Sequence, residues 1–381
     1  MARVAITAGL AIASTSATHA AVWKDSAQVA VHAGYDDNAR LSLFTSPTTY
    51  SASADGSAHL AFENETLSWT LDPRCVVTRY DQFKELNRTE LYASSALRHQ
   101  RETGSSGLTF NWTRDTTLTS EPGSTALAEV NKPHQSTSLT SSNSQQWTER
   151  FDTQGTLYAT SNHYSDAQKT GLVNYNYGTA QLSVGYAPGL RSRLSLDASM
   201  GKLQVPEKSL YDKTDQSIML SYELSFAERW HGKFSAGPSR VRSEQSTESG
   251  TVYEVDINRK SETSILQLKL SRDIAATGQG VLTRRQQITL SASRDITERL
   301  SASVSSSLVR NDSLLLSNDL NFYGVRYTDS AVSMGWKWTP TITVSLSAGH
   351  AEQRLQSSDR MAVRNYAALS FTWSGLTHTV H

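Results

Sequence analysis

The sequence predicts an all-β fold, a single transmembrane antiparallel up-and-down β-barrel of about 18 strands. Apolar and polar residues alternate strictly along many segments, as in Ile342–Gly349, and a period of two is the pattern of a strand with unlike faces. The apolar faces often end in Trp, Tyr or Phe, the residues that barrels place at the membrane interface. Short turns alternate with longer polar connections, as in barrels that have short periplasmic turns and longer extracellular loops.

The composition agrees with this fold and excludes several classes of protein. Only 38% of the 381 residues are hydrophobic, while roughly a quarter are Ser or Thr, well above ordinary usage. One apolar side of each strand can face lipid without forming a buried core, and Ser and Thr suit a hydrated lumen. The 36 basic and 36 acidic residues leave no excess charge for nucleic acid. The single Cys excludes an internal disulfide and Cys-clustered metal sites.

The first 20 residues are typical of a signal peptide. A basic start at Arg3 precedes the apolar run Val4–Ala13, and Thr18-His19-Ala20 resembles a cleavage site. We therefore expect residues 1–20 to be removed and residues 21–381 to form one barrel domain. No later run approaches the ~18 apolar residues that a spanning helix needs. The predicted location is the bacterial outer membrane.

Tight turns of similar sequence recur along the chain. The segments Trp147–Phe151, Phe226–Trp230 and Ile296–Leu300 share the pattern apolar, Thr or Ala, Glu, Arg, apolar. Turn-forming residues between alternating segments predict chain reversals between strands. We place these turns at the periplasmic rim, which leaves the longer connections at the extracellular rim.

Counting the alternating segments gives the strand positions. Sixteen strands remain an alternative to 18, because the segments 27–36 and 250–258 are short. The predicted spans are 27–36, 51–62, 67–80, 88–102, 107–120, 137–147, 151–165, 171–187, 192–206, 216–226, 230–243, 250–258, 263–274, 283–296, 300–311, 323–338, 342–356 and 363–373.

The final predicted strand carries a candidate insertion signal. Ala367, Leu369, Phe371 and Trp373 share one face, and the outer-membrane insertion machinery usually recognises such a strand when it ends on an aromatic residue. Here a short tail, residues 374–381, follows Trp373. The expected partners are therefore the outer-membrane lipids and this machinery; the oligomeric state stays open.

Several segments together resemble the outer-membrane β-barrel proteins that are associated with exosortase (PEP-CTERM) and exopolysaccharide systems of Gram-negative bacteria. The similar stretches are Gly34–Arg40, Trp112–Glu121, the Thr-Glu-Arg turns and the ending Asn365–Trp373. The resemblance implies an outer-membrane location and a role in polysaccharide secretion. It implies no catalytic residues.

Four functions are compatible with the sequence. The first, which the sequence favours, is a passive conduit or accessory channel linked to exopolysaccharide export, and the first alternative to it is a general or substrate-specific porin for small polar solutes. The third is an outer-membrane lipid hydrolase or acyltransferase, and the fourth is a closed structural barrel or surface receptor. No G-x-S-x-G or H-E-x-x-H motif is present, so we expect no enzyme, no catalytic residues, no cofactor and no metal.

Alternation places a set of charged and aromatic residues on the lumen side. This mixed-charge wall either guides a polar glycan or solute, or consists of ion pairs that keep the lumen hydrated and rigid. We favour the second interpretation, because charges of both signs are expected inside any barrel. The candidates are Glu90, Arg98, Tyr175, Tyr177, Arg193, Asp197, Glu223, Glu254, Asp256, Lys269 and Lys337.

Two loops suggest local sites. The longest predicted extracellular connection, Glu121 to Ser136, is a candidate constriction loop that carries Glu121, Glu129, Lys132 and His134; a surface-exposed polar loop is the alternative. The run Asp36-Asp37-Asn38 suits an Asx turn better than a calcium site. Cys75 is expected to be a small lipid-facing residue beside Val77.

Overall fold

In the computed structural model, 18 long antiparallel strands form one closed barrel, which confirms the predicted fold class. The structure describes residues 21–42, 47–124, 131–166, 171–207, 212–244, 246–314, 325–355, 361–375 and 377–380. The signal-peptide prediction lies outside these residues. Among the described residues, no helix has the length and hydropathy required to cross a membrane.

The strand bounds follow the alternation of the sequence closely. The strands are β1 Val22–Asp36, β2 Thr49–Glu63, β3 Leu67–Tyr80, β4 Arg88–Arg101, β5 Gly104–Thr116, β6 Pro133–Gln146, β7 Phe151–Tyr164, β8 Tyr175–Gly189, β9 Ser192–Gln204, β10 Lys213–Ala227, β11 Trp230–Arg242, β12 Thr247–Lys260, β13 Ser264–Ala276, β14 Leu282–Asp295, β15 Leu300–Ser313, β16 Val325–Lys337, β17 Ile342–Leu355, β18 Met361–Ser374 and β19 His378–Val380. A helix, α1 (Thr117–Ser124), follows β5, and a short 3₁₀ helix spans Lys84–Leu86.

The barrel closes between its first and last long strands. Strand β1 pairs with β2 along its whole length and with β18 from Gln28 to Asp36. The 16-strand alternative is therefore wrong. Strands β1 and β12 are longer than their sequence patterns predicted, because their ends carry polar residues on both faces.

The C-terminal tail contributes one more short strand. After β18, strand β19 pairs with Trp23, Lys24 and Asp25 of β1. This pairing covers the part of β1 that β18 leaves free, so the tail extends the wall at the rim where both termini lie. Strand β19 is not predicted from the sequence, because three residues are too few to show an alternating pattern.

Contacts between distant strands identify the interior face. The Lys213 ammonium of β10 donates to the carbonyl oxygen of Leu314, which follows β15, at 3.1 Å. Gly278, between β13 and β14, lies against Tyr164 of β7. In a closed barrel, only interior side chains can meet elements this far apart around the wall. The strand register then assigns the interior face of every other strand.

The opposite face is an apolar belt with aromatic residues toward one rim. Trp338 (57% exposed), Trp373, Phe226 and Phe151 surround the rim of short turns, which we call the turn rim. Exposed Leu, Val and Ile side chains fill the rows next to them. Cys75 pairs in register with Leu91 and Gly56 on this outer face, beside Val77.

The threonine of the repeated turn motif closes the turn by hydrogen bonds. The Oγ1 of Thr148 accepts from the backbone N–H of Phe151 at 3.0 Å, and Thr297 accepts from Leu300 at the same distance. Thr339 accepts from Ile342 at 2.9 Å. The shared residue pattern therefore reflects one turn geometry in which a hydroxyl replaces a missing backbone partner.

Candidate functional site: the barrel interior

The register places all eleven lumen candidates of the sequence analysis on the interior face. The aromatic pair Tyr175 and Tyr177 and the carboxylates Glu90 and Asp197 are buried there. The remaining candidates are Arg98, Arg193, Glu223, Glu254, Asp256, Lys269 and Lys337, which are partly or fully exposed to the lumen.

Arg193 holds two carboxylates along the wall. Its guanidinium Nε and Nη2 bind Asp152 of β7, with Nε to Oδ2 at 3.0 Å, and its Nη1 lies 3.3 Å from Glu223 of β10. The three residues span four strands. Because one cation serves two anions, this part of the wall carries a net negative charge.

A second cluster joins two lysines to one carboxylate. Glu254 of β12 lies 3.1 Å from Lys233 of β11 and 2.9 Å from Lys269 of β13. Asp256, one position further along the same face, accepts from Asn258 at 3.2 Å. The interior therefore presents both signs of charge, in ion pairs that run along the wall.

The other four charged candidates differ in their partners. Glu90 binds Arg88 of its own strand at 3.3 Å and the hydroxyl of Thr119 in α1. Asp197 accepts from Ser195 at 3.3 Å and from Ser221. Among the described residues, Arg98 and Lys337 have no side-chain hydrogen bond or ion pair.

An apolar cluster fills part of the interior toward the rim of longer connections, the loop rim. We call it the interior cluster. It joins side chains in or next to β7, β8, β9 and β11 to Leu282 at the start of β14 and Leu314 just after β15, so it extends between separate parts of the wall. Its buried members are Tyr164, Leu172, Tyr175, Tyr177, Leu203, Val205, Val241, Leu282 and Leu314.

The connection between β13 and β14 reaches across the interior to α1. We call residues 277–281 the loop tip. The carbonyl oxygen of Gly278 accepts from the backbone N–H of Val173 at 2.8 Å. A Cβ at Gly278 would lie 2.6 Å from the Tyr164 hydroxyl and 2.9 Å from a Glu121 carboxylate oxygen. The loop tip therefore packs against the opposite part of the wall.

Two of the four constriction-loop candidates meet at this point. Glu121 of α1 is 2% exposed and accepts from the Tyr164 hydroxyl at 2.7 Å. His134 stacks on the ring of Tyr164, with the centroids 4.7 Å apart. Lys132 instead binds Asp166 at 3.1 Å on the exposed side, and Glu129 lies outside the described residues.

The connection between β5 and β6 lies four residues earlier than the sequence predicted, at 117–132 instead of 121–136, and has the same length. Strand β6 begins at Pro133, so His134 lies in a strand and the prediction of a loop up to Ser136 is wrong. The run His-Gln-Ser-Thr-Ser has polar residues on both faces, which hides a strand from an alternation test. The sequence also missed α1, because this helix has no apolar face of its own.

His134 is the centre of a buried polar network. Its Nδ1 lies 2.7 Å from Asp115 of β5, and its Nε2 lies 3.2 Å from the amide oxygen of Asn162 in β7. A protonated ring satisfies both acceptors, because each ring nitrogen then donates. The network ties the base of α1 to the wall beside the interior cluster.

Two interior bonds cross an intervening strand at a glycine. The bond from Arg193 to Asp152 passes over Gly185 of β8, where a Cβ would lie 2.6 Å from an Asp152 oxygen. The bond from the Tyr177 hydroxyl to Asp215, 3.0 Å long, passes over Gly201 of β9. Only a residue without a side chain leaves room for these bonds, so the two glycines belong to the site.

The loop tip is hard to recognise from the sequence. Thr277 and Leu282 are fully buried, and Val281 nearly so, yet the segment has the ordinary appearance of a polar loop with two glycines. The apolar pair Val281-Leu282 beside Gly280 was the only available signal. Among the described residues, no group of three or more His, Cys, Asp or Glu side chains could hold a metal ion.

In the run Asp36-Asp37-Asn38, the Asp36 carboxylate accepts from the backbone N–H of Asn38 at 3.0 Å. This is the geometry of an Asx turn, the interpretation that the sequence favoured.

The chain matches no known protein-family model, and no curated protein matches its sequence. Several solved structures from Pseudomonas aeruginosa are similar in overall shape. OccK2 (OpdF) is 10% identical, with a TM-score of 0.48 over 92% of this chain and 98% of that chain. OpdK, solved with vanillate, is 11% identical, with a TM-score of 0.46 over 93% and 99%. OpdQ is 10% identical, with a TM-score of 0.47 over 94% and 98%.

Proposed function

We propose that this protein is an outer-membrane channel for small polar solutes, with a hydrated, charged interior that narrows toward the extracellular side. The observation that carries the proposal is the meeting of the loop tip with Tyr164 and Glu121 inside the barrel. The turn rim is then periplasmic and the loop rim extracellular. Selection follows from the size of the opening and the charges of the wall, and no reaction is involved.

The polar interior supports passage of solutes rather than a purely structural role. The ion pairs of Arg193 and Glu254 leave their charged groups partly exposed to the lumen, where they can exchange contacts with water and solute. A solid apolar filling throughout the barrel would exclude water. Here the buried apolar residues of the interior cluster are confined to the loop-rim end.

The alternative function is export of exopolysaccharide, the role that the resemblance to exosortase-associated barrels implies. A polymer chain needs an opening that stays wide along the whole barrel. The interior cluster and the loop tip narrow one end, so export requires the loop tip to move aside. We therefore rank passage of small solutes above export.

Conductance across a planar lipid bilayer tests the proposal. We expect discrete single-channel steps in KCl, together with uptake of small sugars into liposomes that contain the protein. A barrel that incorporates but stays silent would contradict the channel and favour a closed structural role. Block of the current by a long acidic polysaccharide, but not by small sugars, would favour export.

A further inference from the structure

A long groove on the outer face near the turn rim has the shape and charge of a lipid site. It has a volume of about 950 Å³ and runs across β13 to β17. The register pairs Ala292 with Val304 and then Val332, and it pairs Arg294 with Ala302 and then Met334. Both rows lie on the outer face and line the groove.

Small side chains make this part of the belt recessed. Ala292, Ala302 and Ala348 line the groove where neighbouring positions carry Leu266, Met334 and Leu346. Gaps of this kind in an apolar belt are filled by lipid chains, because lipid is the solvent of the outer face.

Three arginines line the turn-rim end of the groove, and no carboxylate lines it. They are Arg229 in the turn after β10, Arg259 near the end of β12 and Arg294 near the end of β14. The turn residues Glu228, Glu262 and Glu298 are near in sequence but do not line the groove.

The three guanidinium groups lack protein acceptors. Among the described residues, none of them forms a hydrogen bond or an ion pair through its side chain. Arg259 lies over the ring of Trp230, 5.7 Å from its centroid. Unpaired arginines at the rim of an apolar belt are therefore available to an acidic lipid headgroup.

We propose that this groove binds an anionic glycerophospholipid of the periplasmic leaflet. The phosphate accepts from Arg229, Arg259 and Arg294, and an acyl chain lies along the alanine-lined groove. Arginine suits this role because its planar donors match phosphate oxygens. Basic pockets beside apolar surfaces are a general means of binding acidic lipid headgroups. This proposal rests on the proposed function only for the outer-membrane location and for the periplasmic position of the turn rim.

Native mass spectrometry of the detergent-purified full chain tests the site. The probes are phosphatidylglycerol, with one net negative charge, and zwitterionic phosphatidylcholine, each added at equal concentration. We expect the protein to retain phosphatidylglycerol severalfold more strongly. The double variant Arg259→Gln/Arg294→Gln should lose this preference. The control Arg150→Gln/Arg299→Gln, which changes two turn arginines that do not line the groove, should keep it.

Two further arms separate the possible outcomes. Ala302→Trp fills the groove without changing charge and should weaken retention of phosphatidylglycerol. Inorganic phosphate at millimolar concentration should not displace the lipid. Equal binding of both lipids, or equal loss in both double variants, would overturn the proposal. Displacement of phosphatidylglycerol by phosphate, together with unchanged retention of this lipid by Ala302→Trp, would show a simple anion site and would also overturn the proposal. None of these results depends on conductance.

Discussion

At the residue scale, polar side chains inside the barrel find partners along the wall. Bonds such as Arg193 to Asp152 and Tyr177 to Asp215 cross a whole strand. They provide hydrogen-bond partners for interior donors and acceptors, which the apolar side chains of the interior cluster cannot do. Such bonds require empty space above the intervening strand, which explains Gly185 and Gly201.

We expect Arg193→Gln to make the channel more cation-selective. The substitution leaves Asp152 and Glu223 without their shared cation, so the wall attracts cations more strongly. Reversal potentials in a KCl gradient measure the effect. Arg299→Gln, at an exposed turn, is the control and should leave the reversal potential unchanged. A shift of the selectivity of Arg193→Gln toward anions would contradict the assignment of Arg193, Asp152 and Glu223 to the interior face.

Substitution by alanine should lower the stability of the barrel at one strand glycine and leave it unchanged at another. A Cβ at Gly237 would clash with the carbonyl oxygen of Ile218 and lie 2.8 Å from Cα of Met219, whereas nothing lies within 4 Å of a Cβ at Gly155. Because backbone cannot move away as a side chain can, Gly237→Ala should destabilise the barrel by about 1–3 kcal/mol. Gly155→Ala should be close to neutral. Urea unfolding in detergent, followed by tryptophan fluorescence, would show the difference; equal midpoints would be inconsistent with this register.

At the element scale, the connections at the two rims differ in what they do. At the turn rim, a threonine hydroxyl closes the chain reversal, as in Thr148 and Thr297. At the loop rim, α1 and the loop tip fold back over the interior and bury Glu121 and Thr277. The short turns close the chain reversals between strands, and the longer connections pack over the interior.

Shortening the loop tip should enlarge the opening. Replacing residues 277–281 by Gly-Ser removes the segment that reaches Tyr164 and Val173, and the paired strands β13 and β14 remain. We expect a severalfold rise in single-channel conductance, with heat-modifiable migration retained. The control replaces the half-buried Ser243 by Gly and the exposed Ser246 by Ala and should conduct as the wild type does. An unchanged conductance in the shortened variant would place the narrowest point elsewhere.

At the scale of the whole molecule, closure depends on β1 and β18. The register from Gln28 to Asp36 joins them, and β19 adds only the pairs at Trp23 to Asp25. The tail is therefore an addition to a wall that is already closed. The outer face is apolar, and the interior carries most of the buried polar and charged side chains.

A chain that ends at Ser374 should still assemble. It loses β19 but keeps every pair between β1 and β18, and its aromatic residue Trp373 then lies next to the end, where the insertion machinery usually recognises one. We expect outer-membrane insertion and heat-modifiable migration on a gel. A chain that ends at Leu369 loses Phe371 and Trp373 and should fail both tests. Failure of the first variant would mean that β19 is essential for closure.

The sequence alone determined the fold class and nearly all positions of the long strands, but it left 16 strands open as an alternative, and the closed sheet decided for 18. Period-two alternation is imposed locally by the contact of each strand with two different solvents, and it needs no knowledge of distant residues. It also placed Arg193, Glu254 and Lys269 on one face, because the register of a barrel follows from the same period.

Only the tertiary structure decided which interior residues meet. The contact of the loop tip with Tyr164 and Glu121, the bonds across Gly185 and Gly201, and the row of arginines beside the alanine-lined groove join residues from several strands. These contacts depend on how the curved wall brings residues of separate strands together. Local alternation carries no information about the distances between such residues. The sequence therefore defined the wall, and the closed barrel defined the opening and the groove.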